Sequence, residues 1–436
     1  MGELTIEGGT PLHGEVAMSG SKNAALPIMA AALLTDDVVT LTNVPAIRDI
    51  EILADILTSL GCCVERSAQD AWTIEARNLS SSTVGHELAE RIRGSILLMG
   101  ALVGRLGEAV VAKPGGDDIG VRRVEQHIEG LRMMGAEVQT TEQEYIVRAK
   151  RLRGAWIELD MPTVTGTENL MMAATCAEGV TIIQNAAREP HVVDLARCLA
   201  GMGVRIQGAG TDHIMIEGVK GRPHGIRHAV VSDYIEAGTY LIAAAASKGS
   251  VTVTSTDPAD LTWLIKKLRE TGCEVIQGAD HVHVDAVARV LRGVDVTTWP
   301  HPGFATDLQA QYVSLMTQAE GTSAVSEAVY EHRFRHVPEL VKMGAQVVVE
   351  GRSAIVTGPT TLKGSPVNIT DIRSGAALTI AALCAEGTST LSNIFHLHRG
   401  YESFETKLRS LGANITESDS GEATDVAGRM RSVIGD

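Results

Sequence analysis

The sequence predicts a mixed α/β fold made of six repeated units. A short phrase containing a glycine recurs six times along the 436 residues, as LGCCV, MGAEV, MGVRI, TGCEV, MGAQV and LGANI. Successive copies lie about 70 residues apart, so six such units account for nearly the whole chain. Helix-like and strand-like segments alternate between the copies, which is typical of mixed α/β proteins. The repeated glycines are Gly61, Gly135, Gly203, Gly272, Gly344 and Gly412.

The elements of each unit follow a fixed order. An alanine-rich helical run comes first, for example AALPIMAAALL, and a β-branched strand such as VVTLTNV follows it. An amphipathic helix comes next, as in DIEILADILTSLG, where apolar residues recur at helical spacing and the repeated glycine ends the helix. One or two strands complete the unit, as in CCVERS and WTIEA.

The composition narrows the possible functions. The formal net charge is −15, so the chain is a poor general binder of nucleic acid or of an anionic membrane. An anionic ligand would therefore need a few well-placed lysines and arginines. Hydrophobic residues make up 44% of the chain, which is enough for more than one core, and two domains are expected.

The sequence favours a reduced, cytoplasmic setting. Apart from the adjacent Cys62 and Cys63, the six cysteines are scattered and show no metal-ligand spacing with histidine. The N-terminus MGELTIEGG lacks the basic and apolar regions of a signal peptide. The run AALPIMAAALL is too short to span a bilayer and contains a proline, so no membrane insertion is expected.

Three predicted helices begin with a positive charge. Lys22 follows Ser21, the predicted N-cap, and Arg93 and Arg373 occupy the corresponding place in their own units. A positive charge at a helix start opposes the helix dipole, so these residues indicate an anionic ligand that compensates them. The helix starts of the other units are polar as well, and ordinary capping is the simpler explanation for those.

The loop KPGGDDIGVRRVEQHIEG has two adjacent carboxylates at its tip. Asp117 and Asp118 follow two glycines and precede two arginines. A glycine-rich loop with cations nearby is suited to an anion, so the paired negative charges need an explanation. Solvated turn residues are one explanation, and it suits Asp118 better than Asp117.

Several phrases together resemble the enolpyruvyl transferase family. They are GSKNAALPI, PGGDDIGVRRVEQHIEGLRMMGA, NAAREP, HPGFATDLQAQ, HVPELVKMGA and HRGYESFETKLRSLGANI. The resemblance implies a two-domain inverse α/β barrel with three βαβαββ-type units in each domain. It places the first domain at 21–231, with a catalytic loop at about 112–123, and the second at 1–20 plus 232–420. The polar tail 421–436 is expected to be flexible.

The resemblance also implies an activity. The enolpyruvyl group of phosphoenolpyruvate would pass to the 3′-hydroxyl of UDP-N-acetylglucosamine through a tetrahedral ketal, and phosphate would leave. This is the first committed step of peptidoglycan synthesis, and it requires no metal and no organic cofactor. The sequence leaves the oligomeric state open.

Site residues follow from the matched positions. Lysine and arginine suit phosphate and carboxylate groups, and the implied phosphoenolpyruvate contacts are Lys22, Arg93, Arg122, Arg373 and Arg399. The implied catalytic residues are Asp117 as proton donor, Asp307 as general base, Lys22 and Arg399. The implied UDP-N-acetylglucosamine contacts are Asn23, Arg93, Arg122, Val164, Thr165, Gly166, Asp307 and Val329.

Asp117 is a departure from the family, in which a cysteine usually follows the two glycines. A free carboxyl has a pKa of roughly 4 and a thiol roughly 8.5, so a carboxyl donor needs a raised pKa. Water exclusion or negative neighbours such as Asp118 would raise it, while Lys113, Arg122 and Arg123 would lower it. Without the thiol, the protein is expected to resist fosfomycin, the epoxide that alkylates that cysteine.

Two other functions stay open at this point. One is a paralogous transferase that uses another acceptor, such as shikimate 3-phosphate. The other is a catalytically silent homologue that binds UDP-sugar and regulates, which the exchange at Asp117 keeps open and the intact Lys22, Asp307 and Arg399 argue against. Pro162 stands where some members have a diphosphate-binding lysine, so diphosphate binding would depend on backbone N–H groups and Arg122.

Overall fold

The predicted mixed α/β fold of six repeated units is confirmed. The computed structural model describes residues 2–418, and the predicted flexible tail, 421–436, lies outside these residues. Within them the strands form six four-stranded sheets, each accompanied by helices.

The strands, in chain order, are β1 (Glu3–Glu7), β2 (His13–Ala17), β3 (Val39–Thr42), β4 (Cys63–Ala68), β5 (Ala71–Glu75), β6 (Thr83–Val84), β7 (Glu108–Ala112), β8 (Glu137–Thr140), β9 (Glu144–Arg148), β10 (Trp156–Glu158), β11 (Val180–Gln184), β12 (Arg205–Gln207), β13 (His213–Glu217), β14 (Arg227–Ala229), β15 (Ser250–Thr254), β16 (Glu274–Gln277), β17 (His281–Asp285), β18 (Val296–Thr297), β19 (Gly321–Ser326), β20 (Gln346–Glu350), β21 (Ser353–Gly358), β22 (Pro366–Asn368), β23 (Thr388–Ser392) and β24 (Asn414–Ser418).

The α-helices are α1 (Lys22–Ala31), α2 (Arg48–Ser59), α3 (His86–Ala89), α4 (Leu98–Leu106), α5 (Glu125–Met133), α6 (Val164–Thr175), α7 (Pro190–Gly201), α8 (Tyr234–Ala246), α9 (Thr262–Thr271), α10 (Gln309–Met316), α11 (Val337–Lys342), α12 (Ile372–Cys384), α13 (Phe395–His398) and α14 (Phe404–Ser410). Short 3₁₀ helices lie at Ala32–Leu34, Arg93–Leu97, Pro258–Leu261 and Thr306–Leu308.

All six sheets share one strand order. In the sheet β6-β7-β9-β8, for example, β6 and β7 are parallel neighbours joined through a helix, while β9 pairs antiparallel with both β7 and β8. Parallel neighbours need a long crossover, which the buried helix of each unit supplies, and antiparallel neighbours need only a short turn. The second, amphipathic helix leads from the second strand to the third.

Three sheets are completed by segments distant in sequence. The N-terminal strand β1 lies between β23 and β24, antiparallel to both, and β2 pairs in parallel with β15. In the first unit, β14 supplies the parallel neighbour of β3. The first residues of the chain therefore belong to sheets formed mainly by its C-terminal half.

The six repeated glycines share one backbone conformation. Their φ angles all lie between 91° and 108°, at Gly61, Gly135, Gly203, Gly272, Gly344 and Gly412. Each follows or ends an amphipathic helix, where a positive φ closes the last turn and lets the chain reverse into the next strand. A side chain with a Cβ adopts this conformation with difficulty, which explains why the repeat is visible in the sequence.

The buried side chains form two clusters. One includes apolar residues from 24–230, and the other combines residues 4–18 with residues 234–415. At the centre of each are alanine-rich helices, such as α8, in which every residue is buried. Small side chains allow these helices to pack closely with their neighbours.

The helices and cysteines bear on where the protein can reside. Among residues 2–418, no helix is both long enough and apolar enough to cross a membrane. All six cysteines are thiols rather than disulfides, and Cys63 alone among them is exposed. Burial raises the pKa of the Cys62 and Cys198 thiols to about 12, so both are protonated and unreactive at neutral pH.

Candidate active site

Lys22 is the first residue of α1, as predicted. The Ser21 side chain accepts a hydrogen bond from the backbone N–H of Ala24 at 3.4 Å, which confirms Ser21 as the N-cap. The Lys22 ammonium lies 3.5 Å from a carboxylate oxygen of Asp49, in the first turn of α2. Burial lowers the pKa of Lys22, and Asp49 offsets part of that effect.

Asp49 connects Lys22 to an arginine from the other half of the chain. Arg399, directly after α13, donates from Nε to Asp49 at 3.0 Å and from Nη1 to Asp117 at 2.5 Å. The side chains of Asp49 and Arg399 are 5% and 11% exposed, so water screens the pair weakly. One guanidinium thus joins α2, the loop and α13.

Asp117 faces the cationic cluster, which consists of Lys22, Arg399 and Arg122, rather than solvent. Its side chain is 15% exposed and bonded to Arg399. Burial acts to raise the pKa of Asp117, but Arg399 and Lys22 outweigh it, so the pKa lies below the ordinary carboxyl value. The sequence left open whether burial or the nearby cations would control the pKa of Asp117. In the structure the cations have the larger effect, and Asp117 is ionised at neutral pH.

His396 is a second neighbour of Asp117. Its Nδ1 lies 3.9 Å from an oxygen of Asp117, and its ring packs against Phe395 with centroids 4.0 Å apart. Burial lowers the pKa of His396, while Asp117 acts in the opposite direction. The imidazole is therefore neutral at pH 7 and can accept or donate at one nitrogen beside the carboxylate.

The loop is docked onto the second half of the chain. Asp118 binds Arg335 at 2.9 Å, and the backbone N–H of His332 donates to the Ile119 carbonyl at 3.0 Å. Glu331 accepts from the Val121 N–H at 3.2 Å. These contacts bring the two halves together over the cationic cluster.

Gly120 is required by this docking. Its φ is 123°, and a Cβ there would lie 2.3 Å from a Glu331 carboxylate oxygen. Asp118, which the sequence offered as a tuner of its neighbour, instead binds Arg335 and is 70% exposed. This exposure agrees with the solvated turn residue that the sequence favoured at Asp118, and the bond to Arg335 adds a role in docking the loop.

Asp307 lies between two arginines. It belongs to the 3₁₀ turn before α10, and it accepts from Arg333 and, at 2.9 Å, from Arg373. Burial would raise its pKa, but Arg373 and Arg333 lower it far below the ordinary carboxyl value. Asp307 is a stable anion in this form and a weak base.

Arg373 is fixed from several sides. Asp371 caps α12 in a capping box with Ser374, and this fixes the backbone from which Arg373 extends. The guanidinium lies over the ring of Tyr401, 5.4 Å from the centroid, and is 7% exposed at the side chain. Burial alone would lower the pKa of Arg373, but Asp307 and its neighbours raise it, so the charge is permanent.

Arg93 and Arg122 are two further cations of this region, and the charge of Arg122 also acts on Asp117. Arg93 begins the 3₁₀ helix before α4, and its Nη2 donates to the Arg122 carbonyl at 2.5 Å. Burial, with the nearby charge of Arg122, lowers the pKa of Arg93 to about 10. In the part of the chain that the structure describes, neither arginine has a carboxylate within 4.0 Å. Both charges therefore remain available to an anionic ligand.

The prediction that a ligand anion balances the positive charge at three helix starts is partly wrong. We expected a ligand anion to balance Lys22, Arg93 and Arg373, yet Asp49 lies beside Lys22 and Asp307 beside Arg373. Buried cations need a counter-charge in the absence of ligand, and the protein supplies it for these two. Arg93 alone of the three fits the original expectation.

The predicted nucleotide-sugar contacts lie mostly at helix starts. Val164, Thr165 and Gly166 form the first turn of α6, and Asn23 is the second residue of α1. Thr165 contacts Nε2 of His127 at 3.2 Å. Within residues 2–418, the Asn23 side chain makes no hydrogen bond to the charged cluster. The first backbone N–H groups of a helix such as α6 have no partner within the helix and suit a phosphate.

His127 supports this helix start. Its Nδ1 lies 3.0 Å from the amide nitrogen of Asn169, so Nδ1 accepts and Nε2 donates to Thr165. Burial lowers the pKa of His127 to about 3, and the ring is therefore neutral.

The Val329 N–H donates to Glu327 at 2.7 Å, on the opposite half of the molecule.

Three residues near the charged cluster were missed by sequence reasoning. Asp49 and Arg333 contact predicted residues directly, and His396 approaches Asp117. Asp49 looks like an ordinary acidic residue in the first turn of a helix, where the dipole favours it. Only the three-dimensional pairing with Lys22 and Arg399 distinguishes it, so no sequence signal identified it.

Comparison with known proteins decides the family. Residues 6–408 match the family model described as EPSP synthase (3-phosphoshikimate 1-carboxyvinyltransferase). The chain belongs to the EPSP synthase family, the enolpyruvyl transferases. The solved enolpyruvyl transferase NikO from Streptomyces tendae superposes with a TM-score of 0.85 at 28% identity, over 96% of this chain and 99% of that one.

Closer relatives of this enolpyruvyl transferase share one name. A protein of Magnetococcus marinus is 47% identical over 416 residues, which is 95% of this chain and 99% of its own length. One of Acidobacterium capsulatum is 49% identical over 420 residues, 95% of this chain and 96% of its own length. Each is named UDP-N-acetylglucosamine 1-carboxyvinyltransferase.

Proposed function

We propose that this enolpyruvyl transferase moves the enolpyruvyl group of phosphoenolpyruvate to the 3′-hydroxyl of UDP-N-acetylglucosamine. The names of relatives with nearly half of their residues identical support this acceptor. The observation that carries the proposal is the cluster of five cations between the two halves of the chain, with three carboxylates, Asp49, Asp117 and Asp307, among them. These cations are Lys22, Arg93, Arg122, Arg373 and Arg399.

The cations fit the charge of phosphoenolpyruvate. Its phosphate and carboxylate need several positive groups close together, and arginine can bind each by two parallel hydrogen bonds. Arg93 and Arg122 lack a carboxylate partner among the described residues, so they are ready to bind an anion. Arg373 and Arg399 are occupied by Asp307 and Asp117, and substrate would compete with these carboxylates.

The proposed addition step forms one C–O bond and one C–H bond. The sugar oxygen bonds to the central carbon of phosphoenolpyruvate, and its proton passes to Asp307. The double-bond electrons take a proton from Asp117 at the methylene carbon, which becomes a methyl group in the tetrahedral ketal. In the elimination, the C–O bond to phosphate breaks with its electron pair on phosphate. A methyl proton returns to the Asp117 carboxylate, and the electrons of that C–H bond restore the double bond.

Both carboxylates need a changed environment for these roles. Asp307 is a weak base while Arg333 and Arg373 bind it, and Asp117 is ionised while Arg399 binds it. A substrate phosphate or carboxylate that takes up Arg373 and Arg399 would remove these contacts and add negative charge nearby. Both pKa values would then rise, which makes Asp307 a better base and allows Asp117 to be protonated.

The wider assignments follow the same proposal. We place the reaction in the cytoplasm, as the first committed step of peptidoglycan synthesis, with roles in cell shape and division. The proposed domains are 21–231 and 1–20 plus 232–420, which close on the substrates between them. The docked loop over Arg399 supports closure, because Asp118 and Asp117 contact the other half.

Phosphate release is the deciding experiment. The full-length protein is mixed with phosphoenolpyruvate and either UDP-N-acetylglucosamine or shikimate 3-phosphate, and inorganic phosphate is measured from pH 5 to pH 9. We expect release with the nucleotide sugar and a far lower kcat/KM with shikimate 3-phosphate. Preference for shikimate 3-phosphate would favour the paralogous function. Binding of UDP-N-acetylglucosamine without phosphate release at any pH would favour a silent regulator.

A further inference from the structure

Three potential metal ligands meet on the surface behind Arg399. They are His398 at the end of α13, Glu405 in the first turn of α14 and Glu417 in β24. One ligand atom from each lies within 4.8 Å of the other two. The sequence showed no metal-ligand spacing here, because the third residue joins the others only when β24 folds back beside α14.

The separation of His398 and Glu417 suits a shared metal better than a hydrogen bond. Nε2 of His398 lies 3.5 Å from Oε1 of Glu417, whereas good N–H···O bonds measure about 2.7–3.2 Å. Two ligands about 2.1 Å from a tetrahedral zinc ion would lie about 3.4 Å apart. His398 and Glu417 are therefore near the spacing that a common ion requires, and a ligand atom of Glu405 lies within 4.8 Å of both.

Glu405 is oriented by a neighbour. Its Oε1 accepts a hydrogen bond from the Thr406 hydroxyl at 2.7 Å. Partners of this kind fix the direction of a ligating carboxylate and contribute to metal affinity. The remaining carboxylate oxygen is available to an ion.

The local charge also favours a cation. Among the residues described, neither Glu405 nor Glu417 has a lysine or arginine nitrogen within 4.0 Å, and His398 is the single basic neighbour of Glu417 at that distance. The adjacent Arg399 points its guanidinium to Asp49 and Asp117 instead. Two carboxylates thus face one imidazole without a full counter-charge, and a divalent ion would supply it.

We propose that His398, Glu405 and Glu417 form a binding site for a zinc-class divalent cation, with water completing the coordination. One imidazole and two carboxylates suit Zn²⁺, whereas Mg²⁺ and Ca²⁺ prefer oxygen ligands alone. Binding would join α13, α14 and β24. Because His398 immediately precedes Arg399, the ion would also restrain the backbone that positions this arginine. The site takes no part in the proposed chemistry.

The test is a calorimetric titration with ZnCl₂ of full-length protein from which any purification tag has been removed. The variants are His398→Gln and Glu417→Gln. The matched control is His281→Gln, because His281 pairs with Asp280 at 3.2 Å on the surface but is not part of a three-ligand group within residues 2–418. We expect one zinc ion per chain, at least about tenfold weaker binding in both variants, and unchanged binding in the control.

Thermal unfolding provides an independent measurement. Zinc at a large excess over its Kd should raise the Tm of the unaltered protein by at least about 2 °C, and it should not raise that of His398→Gln. The metal-free Tm of each variant shows whether the variant is folded. Equal zinc affinity in the unaltered protein and His398→Gln would overturn the proposal. So would absence of binding in the unaltered protein, or equal loss in the His281→Gln control.

Discussion

Asp307 and Asp117 are both half-buried carboxylates bound by arginine, but they are fixed to different degrees. Asp307 lies between Arg333 and Arg373, on a turn that leads directly into a buried helix. Asp117 lies on a glycine-rich loop and has Arg399 alone, which it shares with Asp49. The first arrangement keeps one arginine, Arg333, on its carboxylate when a substrate anion takes Arg373, whereas the second has no other arginine bonded to Asp117 once a substrate anion takes Arg399. Position on a rigid turn or a loop thus decides which acid can move.

The largest effect is expected when the fixed carboxylate loses its charge. Asp307→Asn leaves Arg333 and Arg373 without their shared counter-charge and removes the proposed base. We expect kcat to fall by about 10²- to 10⁴-fold and the free energy of unfolding to fall by about 3 kcal/mol. Phosphate release and urea unfolding measure the two.

A matched control exists for that variant. Asp36 also binds two arginines, Arg105 and Arg222, but lies away from the charged cluster. Asp36→Asn should leave kcat within about twofold, because the substrate does not reach it. If both variants lose activity equally, loss of the ion pairs rather than of a base explains the result for Asp307.

The next largest loss of activity is expected when Asp49 no longer shares Arg399 with Asp117. Asp49→Asn removes the carboxylate between Lys22 and Arg399, so the arginine would bind Asp117 alone. Losing these charged hydrogen bonds should lower kcat/KM for phosphoenolpyruvate roughly 10- to 100-fold. Asp49→Glu, which keeps the charge, should recover part of the activity. No recovery would show that Asp49 acts through packing rather than charge.

A smaller effect is expected from exchanging the movable acid. The proposed donor must be protonated, so activity should fall as the pH rises through the pKa of the donor in the substrate complex. Asp117→Cys should therefore move the alkaline limb of kcat/KM upward by roughly two to four pH units. It should also make the protein sensitive to fosfomycin, with the adduct on residue 117. Asp118→Cys is the control and should show neither change.

The free protein offers a check on the sign of the Asp117 shift. Its pKa is lowered by folding, so the ion pair with Arg399 is fully present above the ordinary carboxyl pKa. The pair is lost as the pH falls through the lowered value. Asp117→Asn should remove this contribution, and its stability relative to the unaltered protein should therefore improve at acidic pH.

The smallest effect is expected at the edge of the loop. Asp118 and Arg335 are 70% and 45% exposed, and exposed ion pairs contribute roughly 0.2–1 kcal/mol. Asp118→Asn should raise KM by no more than about threefold, and the difference should vanish at high salt. A larger, salt-insensitive effect would show that Asp118 does more than dock the loop.

The fold was more predictable than the site because its signals are local. Each repeated glycine needs a positive φ at the same place in its unit, so the requirement is visible in the sequence at Gly61 or Gly412. Lys22 and Arg373 were also visible, because positive charge at a helix start is unusual. Which carboxylate each would bind depends on contacts between separate elements, 27 residues apart for Lys22 and Asp49 and 66 for Arg373 and Asp307.

The pairing of Arg399 with Asp49 shows this limit most clearly. Neither the 350-residue separation nor the choice of Asp117 as second partner can be read from periodicity or charge. The lowered pKa of Asp117 has the same cause, since it reflects the sum of burial and three cations whose distances only the fold sets.

The position of β1 has a consequence for biosynthesis. This strand leaves the ribosome long before its neighbours β23 and β24 are made, whereas β14 completes the sheet of β3, β5 and β4 much earlier. At about 5–20 residues per second, β1 waits roughly 20–80 s for a partner. The nascent chain therefore completes the core of residues 24–230 while β1 is still an unpaired strand. We expect a chaperone to act on β1 during this interval.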